Sequence, residues 1–177
     1  TEVDTLSLHD ALPISPGTMI SSDSINDEKN VVKGISHIDN VSLINLEGSG
    51  MIGITGFSQK LFHALSSNNI NIIMITQASS EHSICIGLTN NDAEKAKKII
   101  EDEFSLEIRM NRLNPVSIEK DMVNIAVVGD KMKDHQGISG KLFSSLGANN
   151  INIRAIAQGA SERNISIIID KKNTVRL

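Results

Sequence analysis

Residues Asn45 to Gly87 are written a second time, without a gap, as Ala126 to Ile168. The offset is 81 residues, and 19 of the 43 aligned positions are identical. Lys60-Leu61-Phe62 returns as Lys141-Leu142-Phe143, and Asn68-Asn69-Ile70-Asn71-Ile72 returns as Asn149-Asn150-Ile151-Asn152-Ile153. Gln77, Ser80 and Glu81 return as Gln158, Ser161 and Glu162. One long match marks a duplicated domain, because solenoid repeats are shorter and more numerous. The chain therefore builds one small unit twice, and its function must account for a site made in duplicate.

Composition narrows the class. The 177 residues have room for one or two small domains. A net charge of -4, with four aromatic residues that are all Phe, argues against nucleic acid as a partner. Cys85 is the single cysteine, which excludes an internal disulfide and a cysteine-based zinc cluster and suits a reducing, cytoplasmic setting. No apolar run approaches the roughly 20 residues of a membrane helix, so no membrane partner is expected. The first residues also lack the basic-then-apolar layout of a signal peptide.

Along the chain, residues 1–29 read as leader and linker. Thr1 to Ser15 has no clear periodicity, and Pro16 to Lys29 is polar and rich in Ser and Asp. Asn30 to Ser36 reads as a short strand within a 30–40 segment that could complete a later sheet. Val41 to Leu46 reads as a strand, followed by a glycine-rich turn at Gly48 to Gly53. From Thr55, Phe57, Leu61, Ala64 and Leu65 recur at helical spacing, and Asn68-Asn69 stops that helix. Ile70 to Thr76 is nearly continuous in apolar, β-branched residues, as a buried strand is. Ser83 to Leu88 makes the next strand, and the short turn between these two requires them to pair antiparallel. Asp92 is placed to cap a second helix carrying Ala93, Ala96, Ile99 and Ile100 on one face. Phe104, Leu106, Ile108 and Met110 alternate strictly and predict a closing strand.

That order is βαββαβ, so the fold class is α+β. Each unit is a ferredoxin-like antiparallel sheet with helices on one face. The first unit occupies 41–112. The second, 113–177, repeats a strand at Met122 to Val128, a helix at Gly137 to Gly147 and strands at Ile151 to Ala157 and Asn164 to Asp170. It is incomplete as written, lacking a second helix and a fourth strand, and Asn30 to Ser36 is the candidate to supply that strand.

Gly48-Ser49-Gly50-Met51-Ile52-Gly53 fits the dinucleotide-binding pattern of three spaced glycines between a strand and a helix. The reading fails on context. The second copy, Gly129 to Asp134, keeps one glycine of the three, and the next two strands form a hairpin where a dinucleotide fold needs a parallel crossover. Gln77 stands where a ribose-binding acid would be. A glycine-rich turn entering a helix can still present backbone N–H groups to a carboxylate. Beside it, Asn71 with Gln77, and Asn152 with Gln158, offer amides that can read a hydroxyl or an amino group. The histidines His37, His63, His82 and His135 do not recur in register. No catalytic pairing or metal cluster emerges.

The residues resemble ACT domains, the regulatory modules of amino-acid biosynthesis enzymes. Ile75 to Ile84 and Ile156 to Ser166 are similar, more narrowly, to bifunctional aspartokinase–homoserine dehydrogenases. Pro16 to Ile20 resembles the end of that family's kinase domain, and Val127 to Asp130 and Gly137 to Ser139 fit as well. The resemblance implies a regulatory segment with L-threonine as effector, between an upstream kinase and a downstream dehydrogenase, in a homo-oligomer. It implies that the first unit is inserted into the second. It also implies effector contacts at Gln77 and Gln158, with Asn71, Asn152, Ile72 and Ile153. In the loops and helix starts it points to Met51, Ile54, Thr55, Gly56 and Phe57, then to Met132, His135, Gln136, Gly137 and Ile138. No cofactor is expected in this chain, since ATP with magnesium and NAD(P) would belong to the catalytic domains. The alternatives are a lysine-responsive relative and a purely structural dimerisation module.

Overall fold

The computed structural model describes residues 31–51, 55–77, 82–129, 132, 135–159 and 163–176. The leader and linker at 1–29, Ile54, and the Ser79 to Glu81 turn lie outside these. Ten elements follow in order: β1 (Val32–Glu47), α1 (Phe57–Ser67), β2 (Met74–Gln77), β3 (Ser83–Thr89), α2 (Ala93–Glu103), α3 (Ser105–Arg109), β4 (Ser117–Gly129), α4 (Ile138–Ala148), β5 (Ile153–Gln158) and β6 (Asn164–Asp170). Two short 3-10 turns, Ser49–Met51 and Lys171–Arg176, are also described. The six strands form one sheet in the order β2-β3-β1-β4-β6-β5, each pair antiparallel.

The two longest strands, β1 and β4, serve both units. The second half of β1 pairs with β3, Val41 opposite Thr89 through Glu47 opposite Ser83, and with the start of β4 at Ser117 to Glu119. Its first half pairs instead with the end of β4, Val32 opposite Gly129 through Ile38 opposite Asn124. The changeover falls at Asn40 and Asp121, residues 81 apart with φ of 58° and 59°. Left-handed backbone costs a non-glycine residue free energy, and Asn and Asp tolerate it better than most. The ladder slips register between Ile38 and Val41 at this point. The first unit is thus threaded through the second, and the fourth strand of the second unit comes from Val32 to Ile38.

Three local expectations are corrected. Phe104 to Met110 is not a strand, because α3 occupies Ser105–Arg109. Its alternation satisfies a helix equally well: Phe104 and Ile108 lie one turn apart facing the core, while Leu106 and Met110 are 58% and 51% exposed. The closing strand of the first unit is Ser117 to Lys120, the first residues of β4. Strand β2 begins at Met74, so Ile70 to Ile73 is an irregular approach. Asp92 stands at the start of α2 but makes no capping bond, because its Oδ2 accepts from Thr89 Oγ1 at 2.9 Å.

The first unit's core joins Ile44, Leu46, Ile86 and Leu88 of the sheet to Leu61 and Leu65 of α1 and Ala96 and Ile100 of α2. Each fully buried Leu or Ile contributes about 1.5–3 kcal/mol of apolar burial. Helix α1 ends where Asn68 Nδ2 donates to the Ala64 carbonyl at 2.8 Å and Asn69 turns left-handed. Helix α4 ends the same way, with Asn149 Nδ2 on the Ser145 carbonyl at 2.8 Å and Asn150 left-handed. The sheet faces away from the helices meet each other: Val41, Leu43 and Met74 of the first unit pack with Met122, Ala155 and Ile168 of the second.

Candidate functional site

Each unit carries a pocket where a left-handed glycine starts a helix beside the end of a short strand. In the first unit the cavity holds about 400 Å³ and is lined by Met51, Gly56, Phe57, Ser58, Gln59, Gln77 and Ile84. In the second it holds about 100 Å³, between Met132, His135, Gly137, Ile138, Ser139, Gly140, Gln158 and Ile165. Apart from His135, the second set is the first shifted by 81 residues. Tertiary folding has made one site twice.

The chemistry of the pocket follows from its parts. Gly56 and Gly137 have φ of 87° and 86°, a conformation that favours glycine, and neither helix receives a side-chain cap. The first-turn N–H groups of α1 and α4 therefore offer their donors, with the positive end of the helix dipole, to an anion. Gln77 lies opposite Ile84 in the β2–β3 ladder, and Gln158 opposite Ile165 in the β5–β6 ladder. Each Gln thus faces the helix start across its pocket and brings both a donor and an acceptor. Ser58 and Gln59 add a hydroxyl and a second amide in the first pocket, where the second has Ser139 and Gly140.

Of the residues proposed from the sequence, Met51, Gly56, Phe57, Gln77, Met132, His135, Gly137, Ile138 and Gln158 line the two pockets. Thr55 and Gln136 are exposed beside them, and Ile54 lies outside the described residues. Asn71 and Asn152 are exposed, Ile72 and Ile153 half-buried, and none of the four lines either of these two pockets. The sequence reading missed Ser58, Gln59 and Ile84 with their counterparts Ser139, Gly140 and Ile165. Ser58 and Ile84 recur unchanged in the repeat, and that identity was the available signal.

Of the glycines that suggested a dinucleotide site, Gly48 and Gly50 have a packing role, and Gly53 lies outside the described residues. A Cβ on Gly48 would lie 2.2 Å from the Arg112 carbonyl oxygen, and one on Gly50 would lie 2.5 Å from Arg112 Cβ. Gly50 N–H donates to that carbonyl at 2.8 Å. The segment that follows α3, at Arg112 and Leu113, presses so closely on this turn that no side chain fits. Among the described residues, no group of three or more His, Cys, Asp or Glu is placed to hold a metal ion, and no helix is long and apolar enough to cross a membrane.

Matched pockets at the helix starts of a duplicated ferredoxin-like fold define a tandem α+β module with one pocket in each unit. The ACT domain family model matches residues 44–104 and 125–176, and the chain belongs to that family. A bifunctional aspartokinase/homoserine dehydrogenase of Haemophilus influenzae is 41% identical over 163 residues, covering 92% of this chain and 20% of the relative. The chain thus spans about one fifth of that relative's length. The Clostridium acetobutylicum aspartate kinase structure aligns with a TM-score of 0.76 and 26% identity, over 90% of this chain and 36% of that one. Escherichia coli aspartokinase III, solved in complex with lysine and aspartate, aligns with a TM-score of 0.68 and 21% identity, over 91% and 34%.

Proposed function

We propose that this chain is the regulatory region of an aspartokinase–homoserine dehydrogenase and binds L-threonine as a feedback effector in its two pockets. The observation that carries the reading is the repeated facing of a glutamine amide and an uncapped helix start. In each pocket the effector's carboxylate takes the helix N–H groups, and its ammonium and hydroxyl take the Gln77 or Gln158 amide. Ser58 and Gln59 extend that polar lining in the first pocket. Strands β2 and β5 are the sheet edges beside the pockets, and pairing with a second copy would cover their free backbone groups. Inhibition follows if threonine binds one arrangement of the flanking kinase and dehydrogenase domains better than another, since only differential affinity shifts an equilibrium.

The test is calorimetric titration of the chain with L-threonine, L-lysine and NAD in parallel. Heat with threonine alone supports the reading. Heat with lysine alone moves the chain to the lysine-responsive class, to which the lysine complex of the Escherichia coli structure lends its support. Heat with NAD alone would return the glycine-rich turn to consideration, and no heat with any of the three leaves a structural dimerisation module.

A further inference from the structure

The two pockets agree at five of the seven positions they share and differ at two. Phe57 stands where the second has Ile138, and Gln59 where the second has Gly140. The Phe57 ring is held against the core, 8% exposed and stacked on Phe104, while Ile138 is half-buried. The first cavity holds about 400 Å³ and the second about 100 Å³. At about 30 Å³ for each water-sized group, the smaller is filled by a carboxylate, an ammonium and a short side chain. The larger leaves room for a longer side chain. Gln59 is exposed at the third position of α1, where a glutamine can reach back to cap the helix, yet α1 receives no side-chain cap. Its amide is thus left at the cavity mouth, with a donor and an acceptor to offer.

We propose that Gln59 sets the specificity of the first pocket, admitting neutral amino acids whose side chain is longer than threonine's and ends in an amide or a hydroxyl. This rests on the reading that the pockets bind an amino acid. The uncapped helix start takes the ligand's carboxylate, and the Gln59 amide pairs with the end of its side chain. A site built to hydrogen-bond a polar group rejects the analogue that lacks it, so an apolar chain of the same length is refused. A charged end is refused too. None of the described residues lining this pocket is charged, and burying an unpaired charge is costly. In the second pocket Gly140 offers no side chain, and the smaller cavity stops at short ligands.

The experiment titrates the chain calorimetrically with L-threonine, L-glutamine, L-norleucine and L-lysine, then repeats the series on Gln59→Ala and Gln59→Glu. The expected result is glutamine bound at a single site per chain, with norleucine and lysine weaker by about ten-fold or more. Gln59→Ala should shift the ratio of the glutamine and threonine Kd values about five-fold toward threonine, as the loss of one hydrogen bond does. Gln59→Glu should bring lysine in, since a carboxylate at that point pairs with its ammonium. Threonine heat without glutamine heat in the parent would overturn the inference and leave the amino-acid reading standing. So would glutamine bound in both pockets, lysine bound by the parent as well as glutamine is, a ratio unchanged in Gln59→Ala, or lysine binding unchanged in Gln59→Glu. No heat with any of the four would remove the amino-acid reading itself, and the inference with it.

Discussion

The ring of Phe57 stacks on Phe104 at 4.6 Å between centroids and 28° between planes. Phe57 lines the first pocket, whereas Phe104 is buried at the junction of α2 and α3, beneath Lys60 Nζ at 4.6 Å. One wall of the first pocket is therefore braced by the segment that leads to the shared strand β4. The second pocket has Ile138 at this place. Replacing Phe104 by Ala should cost about 3–5 kcal/mol of stability, as truncating a buried aromatic does. Chemical denaturation measures that loss. Titration of the folded variant should show weaker binding in the first pocket and unchanged binding in the second.

The glutamines give a separable prediction. Gln77→Ala and Gln158→Ala each remove one amide from an otherwise intact pocket. Each should weaken L-threonine binding at its own site by roughly 1 kcal/mol, about five-fold in Kd. Titration of each variant and of the double variant reads this directly. Unchanged isotherms in all three would remove both glutamines from the site.

Backbone conformation sets the third. Gly56 and Gly137 have open space where a Cβ would go, so a substitution meets no steric clash. The cost of Gly56→Ala or Gly137→Ala is the left-handed conformation alone, about 1–2 kcal/mol. In a chain of this size that lowers Tm by about 2–4 °C per kcal/mol. Gly34, equally open but without a positive φ, should tolerate Ala with little loss, and the comparison isolates the backbone term.

Cys85 provides a pH dependence. Burial, with Glu119 and Glu47 adding negative potential, pushes its thiol from 9.0 up to about 11. The folded state thus disfavours the thiolate. Its contribution to stability is full below pH 9 and is lost as pH rises from 9 toward 11. Denaturant midpoints of the parent should fall across that window more steeply than those of Cys85→Ser. Alkylation of the native chain at pH 9 should be slow, and fast once it is unfolded.

Much of this architecture follows from the sequence alone. The repeat fixed the number of units, and the spacing of Phe57, Leu61 and Leu65 with Asn68 behind it bounded a helix. The glutamines stood out because they recur at the ends of matched strands. These are local or internally repeated signals, which periodicity can carry. Phe104 to Met110 shows the limit, because alternation over seven residues places Phe104 and Ile108 inward on a helix as well as on a strand. What separates them is the exposure of Leu106 and Met110, which a strand would turn to the same face as Phe104 and Ile108.

The exchange of strands was beyond local reading, although the incomplete second unit marked Asn30 to Ser36 as the candidate for its fourth strand. Nothing in Val32 to Ile38 or Ser117 to Lys120 states which sheet each joins, because backbone hydrogen bonds are indifferent to sequence. The choice is made by the turn of the chain at Asn40 and Asp121 and by the apolar faces that meet there. Tertiary structure likewise decided that α2 closes the core of the first unit. Burial depends on which elements converge in space, so Val116 is buried in the first unit while Ile35, at the matching register position 81 residues earlier, is exposed.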